Sequence, residues 1–125
     1  MNTLVAIPSA VPGGLEASID AHFGHCGLYT LVEIENGSVK EVRTLPSCAH
    51  EQGGCMAPVN YLADNNVKAL ISGGMGMRPL MGFNQVGIDV YHGSGAPTVK
   101  VAIDAFLRDS LPPFTQEQTC GGGQG

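Results

Sequence analysis

Asn36-Gly37 stands between two stretches that read as strands, Leu28 to Glu35 and Val39 to Leu45. Asn-Gly is the dipeptide that most easily supplies the two positive φ angles of a type I′ turn, whose twist matches that of the flanking strands. It commits this part of the chain to a β-hairpin, so any fold must contain an antiparallel pair. Pro46 ends the second strand, since it has no N–H to give to a ladder. Upstream, Thr3 to Ile7 is a short unbroken apolar run ended by Pro8, the mark of a strand buried on both faces and therefore central in its sheet.

After the hairpin the pattern changes to alternating helix and strand. From Cys55 to Asn65, Met56, Val59, Leu62 and Ala63 recur at helical spacing, with Pro58 in the first turn and Asn65-Asn66 closing the segment. Val67 to Ser72 reads as a strand. Pro79 opens a second helix with Leu80, Phe83 and Val86 as its buried stripe and Gly87 as the left-handed residue that ends it. Ile88 to His92 is a further strand. Thr98 then caps a helix whose Val99, Ala102, Ile103, Phe106 and Leu107 share one face. The order β, ββ, α, β, α, β, α implies an α/β domain with a mostly parallel sheet covered by helices.

The 125 residues suffice for one domain. Packed structure is expected over 1–108, and 109–125, with Pro112, Pro113 and a closing Gly-rich run around Cys120, reads as a mobile tail. Six basic residues against eleven acidic give a formal net charge of -5, which repels a phosphate backbone and argues against nucleic acid as a partner. No apolar run reaches the roughly 20 residues of a membrane span. The N-terminus lacks the basic n-region of a signal peptide, so the expected compartment is the reducing cytoplasm, where four cysteines favour free thiols or metal ligands over disulfides.

Three of those cysteines and three of the four histidines fall in two short windows. One is His22-Phe23-Gly24-His25-Cys26, inside a turn-rich stretch from Val11 to Gly27 that shows no convincing period. The other is Cys48-Ala49-His50, with Cys55 at the mouth of the first helix. Thiols with imidazoles suit copper, zinc or sulfur-bridged metals rather than magnesium or calcium. The spacing is not that of a zinc ribbon, which needs close cysteine pairs. For any one of these residues a plain structural role, as a small buried thiol or a loop hydrogen bond, is the blander reading. Their concentration in two windows favours ligation for the group. His92, alone after a strand, reads as structural or solvent-facing.

Gly73-Gly74-Met75-Gly76-Met77-Arg78-Pro79 carries the third feature. A buried strand turns there into a helix N-terminus, where open N–H groups, the positive helix end and Arg78 make an anion site. The spacing matches neither a Walker loop nor G-x-G-x-x-G, so a nucleotide reading is weak. Met75 and Met77 add thioethers with soft-metal affinity, while Met81 reads as core filling.

Ser18-x-Asp20-Ala21-His22-Phe23-Gly24-His25, the hairpin, Gly76-Met77-Arg78-Pro79 and Val86-Gly87-Ile88-Asp89-Val90-Tyr91, in this order and spacing, resemble the dinitrogenase iron-molybdenum cofactor biosynthesis family over about residues 1 to 108. The likeness is nearest to its stand-alone, orange-protein-like members. It implies a ribonuclease-H-like three-layer α/β/α sandwich with a mixed five-stranded sheet. It also implies a noncatalytic carrier or scaffold for a molybdenum-containing sulfur cluster, molybdenum-copper sulfide in the orange proteins, working with protein partners in cluster delivery. His22, His25, Gly74, Met75, Gly76, Met77 and Arg78 are the expected cluster-binding residues, and Cys26, Cys48, His50 and Cys55 the expected metal ligands. Two other readings stand beside it: a zinc- or iron-binding structural module on His25, Cys26, Cys48, His50 and Cys55, or a thiol redox or interaction protein that pairs Cys48 with Cys55.

Overall fold

The structure is a computed structural model that describes residues 2–10, 13–19, 28–46, 56–72, 77–93, 96–108 and 111. Its elements are β1 (Asn2–Ser9), β2 (Leu28–Glu35), β3 (Ser38–Pro46), α1 (Met56–Asp64), β4 (Ala69–Ser72), α2 (Met77–Val86), β5 (Asp89–His92) and α3 (Val99–Leu107). The strands form one sheet in the order β3-β2-β1-β4-β5. β2 runs antiparallel to β1 and β3, while β4 is parallel to β1 and β5 to β4. Only β2 therefore opposes the common strand direction, as the hairpin requires.

Val5, Ala6 and Ile7 are fully buried, so β1 is the central strand its apolar run predicts. Their alternation divides them between two cores. Ala6 joins Tyr29, Leu31 and Leu70 beneath α1 (Val59, Leu62) and α2 (Leu80, Phe83) on one face. Val5 and Ile7 join Val32 and Ile71 beneath α3 (Val99, Ala102, Ile103) on the other. The result is three layers, α/β/α. The hairpin turn has the expected left-handed pair, Asn36 at φ 54 and Gly37 at φ 80.

α1 and α2 end in the same way. Asn66, at φ 67, and Gly87, at φ 83, are the left-handed residues that follow them. Val67 N–H donates to Leu62 O at 3.2 Å and Asn66 N–H to Ala63 O at 3.1 Å. Ile88 N–H donates to Phe83 O at 2.9 Å and Gly87 N–H to Asn84 O at 3.3 Å. These are paired Schellman bonds, and each turns an apolar residue, Val67 or Ile88, into the core just before the next strand.

Several details differ from the sequence reading. Met81, read there as core filling, is 47% exposed. β1 continues through Pro8 to Ser9. α2 begins at Met77 rather than Pro79, because a proline within the first turn removes only an N–H that has no helical partner. Val86 is 41% exposed and lies off the buried stripe, its place in the core taken by Ile88 beyond the turn. Leu111, expected in the tail, is only 9% exposed and packs in the α3-side core; 109–110 and 112–125 lie outside the described residues.

The stretch expected to be a loop before β2 is, over 13–19, a strap tied to β1 and to α3. It bridges β1 through Ser9 and Ile19, and the start of α3 through Ser18 and Thr98. Val99 N–H donates to Ala17 O at 3.0 Å, Lys100 N–H to Leu15 O at 2.8 Å, and Val101 N–H to the Thr98 hydroxyl at 3.4 Å. Strap carbonyls and the predicted cap thus occupy the amides that open α3. Gly13, at φ +80, sits against the hairpin, and a Cβ there would lie 2.7 Å from Leu28 Cδ1 and 2.8 Å from Thr44 Cγ2.

Two glycine substitutions separate backbone strain from packing. Gly87→Ala meets open space and bears the left-handed penalty alone, about 1 kcal/mol. Gly13→Ala adds displacement of two side chains and should cost about 1 kcal/mol more. Urea denaturation of both variants checks the order.

Candidate functional site

In α/β sheets, ligands lie beyond the carboxyl ends of parallel strands. The topology here collects the chain at that edge. β1, β4 and β5 end there at Ser9, Ser72 and His92. Ser9 pairs with Leu28 and Leu28 with Pro46, so β2 begins and β3 ends at the same edge. The segments holding the sequence candidates are therefore all anchored along one side of the sheet: 20–27 enters at Leu28, 47–55 leaves from Pro46, and 73–76 leaves from Ser72. The position of the hairpin is what puts Pro46, the residue before the second Cys/His window, at this edge.

His22, His25, Cys26, Cys48, His50, Cys55, Gly74, Met75 and Gly76 themselves lie outside the described residues, as does Cys120. Met77 and Arg78 are the first two residues of α2, so the helix opens at them, five residues after Ser72. Its positive end therefore lies at Met77. Among the described residues no group of three or more His, Cys, Asp or Glu side chains is assembled. His92, the one described histidine, is half-buried at the end of β5 and is hydrogen-bonded or otherwise partnered.

Under this edge lies a feature the candidate residues did not include. Ser9, Thr30 and Ser72 are the polar residues fully buried among those described, and Ser9 and Ser72 are the last residues of their strands. Gly14 N–H donates to Thr30 Oγ1 at 3.1 Å. Thr30 Oγ1 donates to Ser9 Oγ at 2.9 Å, and Ser9 Oγ to Ile7 O at 2.7 Å. The chain of bonds runs from the strap through β2 into β1, and no buried side-chain polar atom is left without a partner among the described residues. Ser72 O accepts from Gly93 N–H at 2.9 Å, which holds the turn after β5 against β4. The sequence carried a signal for this: hydroxyl residues close two apolar strands and interrupt the apolar face of a third.

An open depression of about 380 Å³ lies toward the opposite edge, lined by Leu4, Glu33, Arg43, Asn65, Asn66 and Lys68. It shares no residue with the segments considered above. No described helix is long and apolar enough to cross a membrane.

Fold and edge together define a small α/β domain of the kind that gathers loops and helix N-termini at one end of its sheet. The chain belongs to the dinitrogenase iron-molybdenum cofactor family, whose model matches residues 1–109. It is 31% identical over 98 residues to an uncharacterized protein of Methanocaldococcus jannaschii, covering 77% of this chain and 82% of the relative. The crystal structure of PH0822 matches with a TM-score of 0.77 at 28% identity, covering 90% of this chain and 96% of the other. The apo orange protein of Desulfovibrio gigas matches with a TM-score of 0.78 over 90% of this chain and 97% of its own, and at 21% identity the likeness is one of fold. The three-layer α/β/α arrangement with a mixed five-stranded sheet and the family expected from the sequence are both borne out.

Thr30→Val removes the acceptor of the Gly14 N–H and the donor to Ser9, and should cost about 1–3 kcal/mol in chemical denaturation. Ser9→Ala in that background should add less than it does alone, since the two hydroxyls share one bond. Additive losses would mean the hydroxyls act separately.

Proposed function

We propose that this protein carries or scaffolds a molybdenum-containing sulfur cluster, with molybdenum-copper sulfide as the form to test, held at the loop-bearing edge and largely without covalent attachment. The protein acts as a carrier and not as a catalyst, delivering its cargo to protein partners in the cytoplasm. One observation carries the reading: the strand ends that anchor both Cys/His windows and the Gly-Met turn all lie on one side of the sheet. The family's association with the iron-molybdenum cofactor agrees with it.

The physical logic is electrostatic. A thiomolybdate-type cluster is an anion, and a chain of net charge -5 needs local positive groups to hold it. Arg78, the N-terminus of α2 and protonated His22, His25 and His50 supply them, with Gly74, Met75, Gly76 and Met77 along the turn. Cys26, Cys48 and Cys55 provide thiolates for a soft metal such as copper. The N-terminus of α3 takes no part, because its first amides already bond to the strap and to Thr98. Residues 1–108 carry the site, and the segment after them adds Leu111 to the core but no ligand.

Metal-free protein titrated with tetrathiomolybdate and copper should develop a visible chromophore, with amide shifts at 22–26 and 72–79. No chromophore, or shifts centred elsewhere, ends the proposal. Arg78→Ala should weaken binding about tenfold through loss of one charge-assisted contact. Cys120→Ser should leave affinity and stoichiometry unchanged. A melting point that falls by many degrees with a chelator, in protein that takes up no molybdenum, would instead favour the zinc or iron module, and a Cys48–Cys55 linkage in oxidised protein the redox reading.

A further inference from the structure

β3 is an outer strand of the sheet, and the direction of its backbone groups follows from the bonding across it. Leu4 O accepts from Lys68 N–H, so Leu4 faces the β4 side, and the alternate residues Val5 and Ile7 face β2. Their partners Val32 and Thr30 face back toward β1, which leaves Leu31 and Tyr29 facing β3. Their partners Arg43 and Leu45 face inward, so Val42 and Thr44 turn their N–H and C=O groups out from the edge. The bulge opposite Glu33 and Ile34 limits the regular part of that edge to the residues after Lys40.

Side chains along the same stretch alternate in charge. Glu41 and Arg43 lie on one face, 3.8 Å apart, with side-chain exposures of 52% and 47%. Val42 between them is half-buried on the opposite face, toward the α3-side core.

We propose that this edge pairs with the same edge of a second copy, antiparallel and centred on Val42, to give a continuous ten-stranded sheet in a twofold dimer. Charge complementarity selects the partner and the register. Centred on Val42, the two valines exchange both outward backbone bonds, and Glu41 stands opposite the second copy's Arg43 on each side. Those flanking pairs are of the non-hydrogen-bonded type, in which side chains approach most closely. Other registers fail on these residues. Centring on Arg43 sets arginine against arginine, centring on Glu41 sets glutamate against glutamate, and centring on Thr44 puts Val42 opposite Pro46, which has no N–H to give. Edge charges and a bulge normally protect a strand from promiscuous pairing. Here their order leaves one self-complementary arrangement.

The test uses the full chain and two single substitutions at exposed positions. Glu41→Arg makes the edge doubly positive and Arg43→Glu makes it doubly negative. By sedimentation velocity the unmodified protein should dimerise with rising concentration, with amide shifts at 40–44 changing in step. Each variant alone should dimerise at least about tenfold more weakly, and an equimolar mixture of the two should recover association as a heterodimer. Circular dichroism establishes that both variants are folded. A protein that stays monomeric to about 1 mM overturns the proposal. So does a dimer that is indifferent to both substitutions, a mixture no more associated than its components, or concentration-dependent shifts lying elsewhere.

Discussion

Burial of β1 on both faces and along both edges is the constraint on which the structure depends. Val5 and Ile7 fill one core and Ala6 the other. Burying two such aliphatic side chains contributes on the order of 3–6 kcal/mol, comparable with the net stability of a small domain. A slip of one residue would exchange Ala6 with its larger neighbours and leave both cores mispacked, so the register is firmly set. The same strand is where the sheet changes character. It meets β2 antiparallel on one side and β4 parallel on the other, and this change gathers three strand ends and the two open ends of the hairpin along one edge.

An edge that receives so many connections has polar groups to satisfy close to an apolar interior. Uncompensated burial of a hydroxyl or an amide costs more than a typical hydrogen bond returns. The chain meets this with the directed series from Gly14 through Thr30 and Ser9 to Ile7 O. Because that series begins in the strap, and the strap carbonyls also cap α3, the hairpin, the central strand and the third helix are held as a unit. The segments that leave this edge start from fixed points.

The fold was largely legible in the sequence because its signals were local. Asn36-Gly37 specified the hairpin, and helical spacing with Asn66 and Gly87 specified where two helices stop. The errors fell where tertiary contacts decide. Val86 sits at helical spacing from Phe83, but the Schellman turn delivers Ile88 to the core instead. The strap at 13–19 has no period because its order comes from bonds to β1, β2 and α3, none of which is local. The candidate site was legible as chemistry, since thiols and imidazoles are recognisable by type. That the second Cys/His window leaves from the same edge as the strand ends was not, because the position of Pro46 depends on β3 lying beyond β2, a matter of long-range pairing. Thr30 and Ser9 were overlooked for a related reason: a hydroxyl in a strand gains meaning only from what it faces.

The geometry of self-pairing through β3 bears on how a carrier would work. Antiparallel pairing lays the Pro46 end of one β3 alongside the Ser38 end of the other, so the two loop-bearing edges point in opposite directions. Dimerisation would then neither cover a cargo site nor bring two anionic cargoes together, and two chains of net charge -5 would meet at a stretch where charges alternate rather than repel. The two halves of the β-hairpin thereby serve separate ends. β2 holds the strap and the central strand in place at the loop-bearing edge, while β3, paired along one edge only among the described residues, presents the sheet to a neighbour. An association built on one short strand and a few exposed ion pairs is weak and reversible. That suits a protein whose cargo has to leave, because assembly of the pair does not commit the site at the other end of the strand.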